Sequence, residues 1–214
     1  IAMTAQKADK HKRSMEKQKE KVDQRIEEAS EERGVMIVLT GNGKGKSSSA
    51  LGMVLRSLGY GYKVGMVQFI KGAMECGEAA YIQNHCPQVD FYQMGTGFTW
   101  NTQDRDKDIA AAEETWAYVE PMLRDDSYHL VVLDELTYMI AYQYLDEDKV
   151  IDALRNRPKN QSVVVTGRGG GSRLQEIADT VTEVKEIKHA FKAGIKARKV
   201  IGRATCRERE YFSV

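Results

Sequence analysis

The chain has 214 residues, 42% of them apolar, and a formal net charge of +1. These values fit one globular domain with an appendage, and they argue against nucleic acid as a partner. The sequence contains no run of about 18 apolar residues, so no membrane span is predicted. No signal-peptide pattern opens the sequence, so we expect a cytoplasmic protein with no membrane partner. The cysteines and histidines are dispersed and predict neither disulfides nor a zinc site.

Residues 1–33 are dense in charged residues and glutamine, with a thin apolar stripe of Met15, Val22 and Ile26. This pattern predicts a solvated helical arm, and composition favours a mobile tail over an arm that docks elsewhere. The last fourteen residues, 201–214, follow neither a helical nor a strand period. We expect a non-native or disordered tail there and leave it out of the functional argument.

Residues 34–200 alternate β-branched runs with helical stretches. This alternation predicts an α/β domain, with a mostly parallel central sheet and helices on both faces, as in P-loop NTPases. Strands are expected at residues 35–39, 64–69, 89–92, 130–133, 162–166 and 181–187. Apolar stripes predict three helices, carried by Leu51, Val54, Leu55 and Leu58, by Ile109, Ala112, Trp116 and Val119, and by Val150, Ile151 and Leu154.

A glycine-rich loop follows the first predicted strand. It consists of Gly41, Asn42, Gly43, Lys44, Gly45, Lys46, Ser47 and Ser48. Glycines let successive N–H groups turn toward one anion, Lys46 can reach phosphates, and the Ser47 hydroxyl can ligate Mg²⁺. Thr40 stands where a Walker A loop has its first glycine, so the loop is shorter or differently entered.

Two other interpretations fit this loop less well. A strand-to-helix turn without a ligand does not explain a charged residue at position 46. A dinucleotide-binding fingerprint needs a third glycine where Lys46 stands, and it needs an acid near the end of the next strand, which runs Gln68-Phe69-Ile70-Lys71. Phosphate binding is the favoured interpretation.

Asp134 and Glu135 follow the apolar run 130–133, about ninety residues after the loop. Such a buried strand delivers carboxylates to its carboxyl end, as a Walker B strand does for Mg²⁺. An ordinary acidic helix start is the alternative.

Arg168 follows the run 162–166 among glycines. This position favours a phosphate ligand and a surface arginine equally. Phe98 and Trp100 lie in a polar loop after the third strand, and composition alone favours inward packing of both rings.

Six segments occur together in one order: GNGKGKS, VQFIKG, GFTW, VVLDELTYM, VVVTGRG and KHAFKAG. Together they resemble the P-loop-type ATP:cob(I)alamin adenosyltransferases, from about residue 18 to residue 200. The GFTW and KHAFKAG segments make the resemblance specific, because a generic ATPase lacks them. Ser47 stands where threonine is common in that family, and either hydroxyl can ligate Mg²⁺.

The resemblance implies transfer of the 5′-deoxyadenosyl group from ATP to Co(I) of a corrinoid such as cobalamin or cobinamide, with release of triphosphate, in adenosylcobalamin formation. It implies that Lys46, the loop amides and Mg²⁺ (or Mn²⁺) stabilise the triphosphate leaving group. Ser47 and either Asp134 or Glu135 would hold the ion. Arg168 would be a further phosphate contact. Phe98 and Trp100 would displace the lower ligand of Co(II), which eases its reduction.

The same resemblance implies a reduced flavodoxin or another flavin electron donor, a homodimer, and an N-terminal helix that helps to cover the corrinoid. This last implication replaces the mobile tail that composition favours. Two other classes of function remain as alternatives: a P-loop ATPase or kinase that breaks the β–γ bond, and a nucleotide-dependent switch without turnover. Neither class requires the aromatic loop.

Overall fold

The computed structural model of the protein describes residues 2–70, 77–95, 104–169 and 171–196. Its helices and strands alternate along most of this length. In chain order they are α1 Ala2–Glu28, β1 Met36–Thr40, α2 Lys46–Gly59, β2 Lys63–Gln68, α3 Gly77–His85, β3 Val89–Gln93, α4 Arg105–Arg124, β4 Tyr128–Asp134, α5 Leu136–Ala141, α6 Glu147–Arg155, β5 Ser162–Thr166, α7 Ser172–Ile177, β6 Thr180–Glu183 and a 3₁₀ turn Phe191–Ala193.

The six strands form one sheet in the order β3-β2-β4-β5-β1-β6, and every pairing is parallel. Alternate residues of β4 enter two different apolar clusters: Leu130 and Val132 pack with Ala50 and Val54 of α2, whereas Val131 and Leu133 pack with Trp116 and its neighbours in α4. Helices therefore cover both faces of the sheet. This confirms the predicted fold class, and it brings the carboxyl ends of all strands to one edge.

The predicted helical stripes are buried or half-buried, with one exception. In α4, Ala112, Trp116 and Val119 are at most 1% exposed, and α6 buries Val150, Ile151 and Leu154. Leu55 of α2 was expected on the buried face but is 68% exposed. The buried line of α2 runs instead through Lys46, Ala50 and Val54, and Leu55 lies one residue, or about 100°, beyond that line.

The sixth strand is shorter than expected, since β6 ends at Glu183 and Ile187 is 91% exposed. β6 is an edge strand that pairs only with β1, and their pairing stops at Thr40↔Glu183, where β1 itself ends. At the other end of this pair, Arg33 makes two hydrogen bonds to Asp179, of 2.9 and 2.6 Å, and the backbone N–H of Met36 donates to the same carboxylate. This carboxylate fixes the start of β1.

Residues 1–32 form a compact unit separate from residues 33–214. The first unit contains α1, on which the predicted stripe of Met15, Val22 and Ile26 is between 47% and 64% exposed. The 201–214 segment lies outside the described residues. Within the described part of the chain, no helix is long and apolar enough to span a membrane.

Candidate active site

The glycine-rich loop joins the carboxyl end of β1 to the first residue of α2, Lys46. The Lys46 side chain is 6% exposed, and its ammonium group donates to the carbonyl oxygens of Gly41 and Gly43, at 2.7 and 2.9 Å. The loop thus curls around the ammonium group. Lys46 is held at the amino end of a helix, where the helix dipole and free N–H groups favour an anion.

The segment after β6 contacts this loop through two backbone hydrogen bonds of Val184. Val184 donates its N–H to the Thr40 carbonyl at 2.8 Å and accepts the Gly43 N–H at 2.7 Å. Gly41 has a φ of 98°, and a Cβ atom there would lie 2.5 Å from the Val184 carbonyl oxygen. Position 41 therefore admits only glycine without a shift of the loop. The sequence gives no local sign that this distant segment shapes the loop.

Asp134 is the last residue of β4, and both of its carboxylate oxygens accept hydrogen bonds. The Thr166 hydroxyl donates to Oδ1 at 2.6 Å, and the Gln68 amide donates to Oδ2 at 3.1 Å. The Asp134 side chain is 5% exposed. Its two oxygens are thus committed to protein donors.

Glu135 follows in a left-handed conformation, with φ 62°, and precedes α5. Its N–H donates to the Thr166 hydroxyl at 3.0 Å. Its Oε2 atom is buried and has no hydrogen-bond partner among the described residues. A non-glycine residue in this conformation is uncommon and marks a site where the surrounding structure fixes the backbone.

The charged groups of the site shift one another's pKa values. Burial and the nearby Asp134 charge raise the pKa of Glu135 to about 7, against the opposing effects of Lys46 and Arg168. Burial also lowers the pKa of Lys46, while Glu135 and Asp134 act to raise it. A group whose pKa is shifted by both desolvation and specific neighbours is typical of functional sites.

Arg168 stands just beyond the end of β5, the strand that separates β1 from β4. It is half-buried, and its charge affects the pKa of both Lys46 and Glu135. The fold thus brings together four residues that the sequence predicted separately: Lys46, Asp134, Glu135 and Arg168.

The remaining predicted residues are less informative. Asn42, Lys44 and Ser48 are exposed, and Ser47 is half-buried in the first turn of α2. Phe98 and Trp100 lie outside the described residues, so their assignment stays a prediction.

The donor set fits Mg²⁺. No cluster of three or more acidic, histidine or cysteine side chains that could cage a metal occurs among the described residues. Mg²⁺ needs no such cage, because it is usually held by one or two protein oxygens together with substrate phosphates and water. Glu135 supplies a buried carboxylate oxygen that has no hydrogen-bond partner in the described part of the chain, and Ser47 supplies a hydroxyl.

Three side chains of this edge were missed at the level of sequence: Gln68, Gln93 and Thr166. The Gln93 amide donates to Gln68 Oε1 at 3.1 Å, and Gln68 in turn donates to Asp134. Their one local signal is a polar residue at the last position of a mostly apolar strand. That signal is weak, because it does not say which strands are neighbours.

A sequence model described as "ATP:corrinoid adenosyltransferase BtuR/CobO/CobP" matches residues 32–202. The chain belongs to the ATP:corrinoid adenosyltransferase family. The corrinoid adenosyltransferase of Pseudomonas aeruginosa is 53% identical over 194 residues, which cover 91% of this chain and 96% of that protein. The corresponding protein of Escherichia coli (strain K12) is 49% identical, and corrinoid adenosyltransferase CobA of Salmonella typhimurium is 48% identical, each over 89% of this chain and 96% of the relative.

Membership in this family confirms the resemblance drawn from the six sequence segments, and with it the predicted enzyme class. The chain is a transferase whose substrates are ATP and a corrinoid. The matched range contains the loop, the two acidic residues, Arg168 and the aromatic segment.

Proposed function

We propose that the carboxyl edge of the sheet aligns ATP for attack by Co(I) of a corrinoid. A Co–C bond forms to C5′ of the ribose, the C5′–O5′ bond breaks, and triphosphate leaves with the bonding electrons. Co(I) is itself the nucleophile, so the protein needs no activated serine or cysteine. Its work is to orient C5′ and to stabilise the charge that develops on the departing oxygen.

The observation that carries this proposal is the buried Lys46 ammonium group, held at the amino end of α2 by two loop carbonyls. A triphosphate that enters the loop can take over these hydrogen bonds as strong charge-assisted contacts. The Arg168 guanidinium and the loop N–H groups from Gly41 to Ser48 would contact the other phosphate oxygens, except the Gly43 N–H, which donates to the Val184 carbonyl. The loop N–H groups are held by the loop backbone, so they need little reorganisation when charge develops.

Glu135 and Ser47 are the proposed ligands of Mg²⁺, with Mn²⁺ as an alternative. When bound, the ion would neutralise part of the triphosphate charge. Of the two acidic residues, Glu135 is the better direct ligand, since its Oε2 atom has no partner among the described residues whereas both Asp134 oxygens accept hydrogen bonds. Asp134 would act on the ion through its charge, without ligating it.

The corrinoid side of the reaction rests on family resemblance. Phe98 and Trp100 are proposed to displace the lower axial ligand of Co(II). The four-coordinate ion then accepts an electron more readily from a reduced flavodoxin or another flavin donor. For a one-electron couple, a shift of about 59 mV changes the equilibrium tenfold.

We further propose that residues 34–200 form the transferase domain and that the arm 1–33 covers the corrinoid in a homodimer. The reaction is proposed to take place in the cytoplasm.

The test is an incubation of the protein with ATP, Mg²⁺ and chemically reduced cobalamin, followed by absorbance and by analysis of the nucleotide products. We expect the spectrum of an alkylated corrinoid to appear together with inorganic triphosphate, in equal amounts. ADP or AMP as the product would favour an ATPase or kinase. Binding of ATP without turnover would favour a nucleotide-dependent switch.

A further inference from the structure

Four polar side chains form a row across four neighbouring strands at the carboxyl edge of the sheet. They are the last residues of β3, β2, β4 and β5: Gln93, Gln68, Asp134 and Thr166. Gln68 pairs in register with Gln93 on one side and with Asp134 on the other. Leu133 pairs with Val165, so the next residues, Asp134 and Thr166, lie side by side.

The row faces the same side of the sheet as α2. Side chains alternate between faces along a strand, and the residues two positions earlier, Met66, Val132 and Val164, pack in the cluster that contains Ala50 and Val54 of α2. The α2-facing positions directly below the row are thus apolar, and the other polar residue on this face, Ser162, is half-buried at the far end of β5. The buried polar residues of these three strands are Gln68, Asp134 and Thr166, all at the level of the phosphate loop, which suggests that they serve the site and not the core.

The hydrogen bonds of the row converge on a single carboxylate. Gln93 donates to Gln68, Gln68 donates to Asp134 Oδ2, and Thr166 donates to Asp134 Oδ1. Gln68 and Asp134 are 8% and 5% exposed, and Thr166 is fully buried. Burial of polar groups is costly unless each is hydrogen-bonded, so the donors also fix the orientation of the carboxylate.

We propose that Gln68 and Gln93 are positioning residues of the metal–nucleotide site, acting through Asp134. This inference rests on the proposed function of the loop and Glu135. Gln68 holds the Asp134 carboxylate in the orientation in which it supports the ion at Glu135, and Gln93 holds the Gln68 amide. Neither glutamine touches substrate or metal itself. Residues that orient metal ligands from outside often change metal affinity strongly when they are replaced.

The test uses Gln68→Met and Gln93→Met, which keep the side-chain volume and remove the amide. ATP binding is measured by calorimetry in the presence of Mg²⁺ and again with the metal chelated. We expect Gln68→Met to weaken the binding of Mg·ATP by roughly tenfold to a hundredfold. Binding of ATP without metal should be unchanged. Binding of Mn²⁺ in the presence of ATP, followed by electron paramagnetic resonance, should weaken in parallel.

The double variant tests whether Gln93 acts through Gln68. If it does, Gln68→Met/Gln93→Met should bind Mg·ATP no more weakly than Gln68→Met alone. Independent contributions would instead multiply, as they do for uncoupled sites. Gln93 is half-buried on an edge strand, so Gln93→Met carries the test if the buried Gln68→Met variant does not fold.

Gln161→Met is the matched control. Gln161 is also a buried glutamine, 1% exposed, and its amide donates to the carbonyl oxygens of Met122 and Asp125. It precedes β5, at the opposite edge of the sheet, so its loss should lower stability without changing the affinity for Mg·ATP.

Equal affinity of wild type and Gln68→Met for Mg·ATP would overturn the proposal, as would a loss of the same size in Gln161→Met. Multiplied losses in the double variant would overturn the action of Gln93 through Gln68. A wild-type protein that binds Mg·ATP but does not adenosylate cobalamin would instead count against the proposed function alone.

Discussion

The Lys46 ammonium group lies 2.7 Å from the carbonyl oxygen of Gly41, inside the loop that it is proposed to serve. We expect Lys46→Ala to reduce adenosylation by roughly 10²–10³-fold, the usual effect of removing one preorganised charge-stabilising contact. Turnover with chemically reduced cobalamin measures the loss, and circular dichroism checks the fold. Lys63→Ala, at the amino end of β2, is the control and should retain activity. A folded Lys46→Ala enzyme with wild-type turnover would reject the phosphate-loop assignment.

Replacing both Phe98 and Trp100 with alanine should separate reduction of cobalt from alkyl transfer. We expect adenosylation to fail when a flavin donor must reduce Co(II) on the enzyme, and to recover largely when free Co(I) is supplied. Spectra of bound Co(II) should lose the four-coordinate signature. If the rings are core packing, the variant should be destabilised by roughly 3–5 kcal/mol and equally poor in both assays.

Glu135→Gln should change how stability depends on pH in the protein without nucleotide. The pKa of Glu135 is raised from 4.5 to about 7, so the native state holds this proton more tightly than the unfolded chain. The contribution of this protonated group to the free energy of unfolding is therefore lost as pH rises from about 4.5 through 7. The variant should lack this loss and be more stable than wild type at pH 8, by up to about 3 kcal/mol.

Urea unfolding between pH 4 and pH 9 measures this difference, and Glu113→Gln on an exposed position of α4 is the control. Because a metal ligand must be deprotonated, wild-type affinity for Mg·ATP should also fall as pH drops below about 7. Parallel stability curves for wild type and Glu135→Gln would contradict the shifted pKa.

Gly43→Ala should displace the phosphate loop from the segment that supports it. A Cβ atom at this position would lie 2.8 Å from the Lys185 backbone, and backbone atoms cannot yield as a flexible side chain does. We expect a loss of about 1–3 kcal/mol in stability and weaker ATP binding, measured by thermal unfolding and calorimetry. Gly52→Ala is the matched control: Gly52 lies within α2 with open space around it, and alanine there should raise stability by about 0.4–1 kcal/mol.

Asp179→Asn should weaken the start of β1. Its hydrogen bonds to Arg33 and to the Met36 N–H lower the pKa of Asp179 to about 2. The stabilisation is present above pH 4 and is lost as pH falls through 2, because the carboxylate is then protonated. We expect a loss of about 1–2 kcal/mol at pH 7 after allowing for the partly exposed arginine.

The difference between Asp179→Asn and wild type should be largely lost near pH 2. Chemical unfolding at the two pH values measures it, with Asp126→Asn on the surface as the control. A constant difference at both pH values would show that the charge of Asp179 is not what stabilises this strand.

The sequence by itself determined the loop, the α/β alternation and the family. A phosphate loop is one continuous segment, in which glycines, Lys46 and Ser47 are neighbours along the chain. Their spacing in the sequence is therefore enough to predict phosphate binding. Apolar periodicity is also local, and it identified the strands and most of the buried helix faces. It misjudged Leu55, because the exact direction of a helix face depends on what packs against it.

Only the tertiary structure decided how the two acidic residues divide their roles. Asp134 and Glu135 are equivalent as sequence, but Asp134 receives donors from β2 and β5 whereas Glu135 keeps a buried oxygen without a partner among the described residues. The row from Gln93 to Thr166 likewise depends on the strand order β3-β2-β4-β5, which brings together residues up to 98 positions apart, Gln68 and Thr166. Local patterns do not specify strand order, because it is set by how helices and sheet bury their apolar faces together.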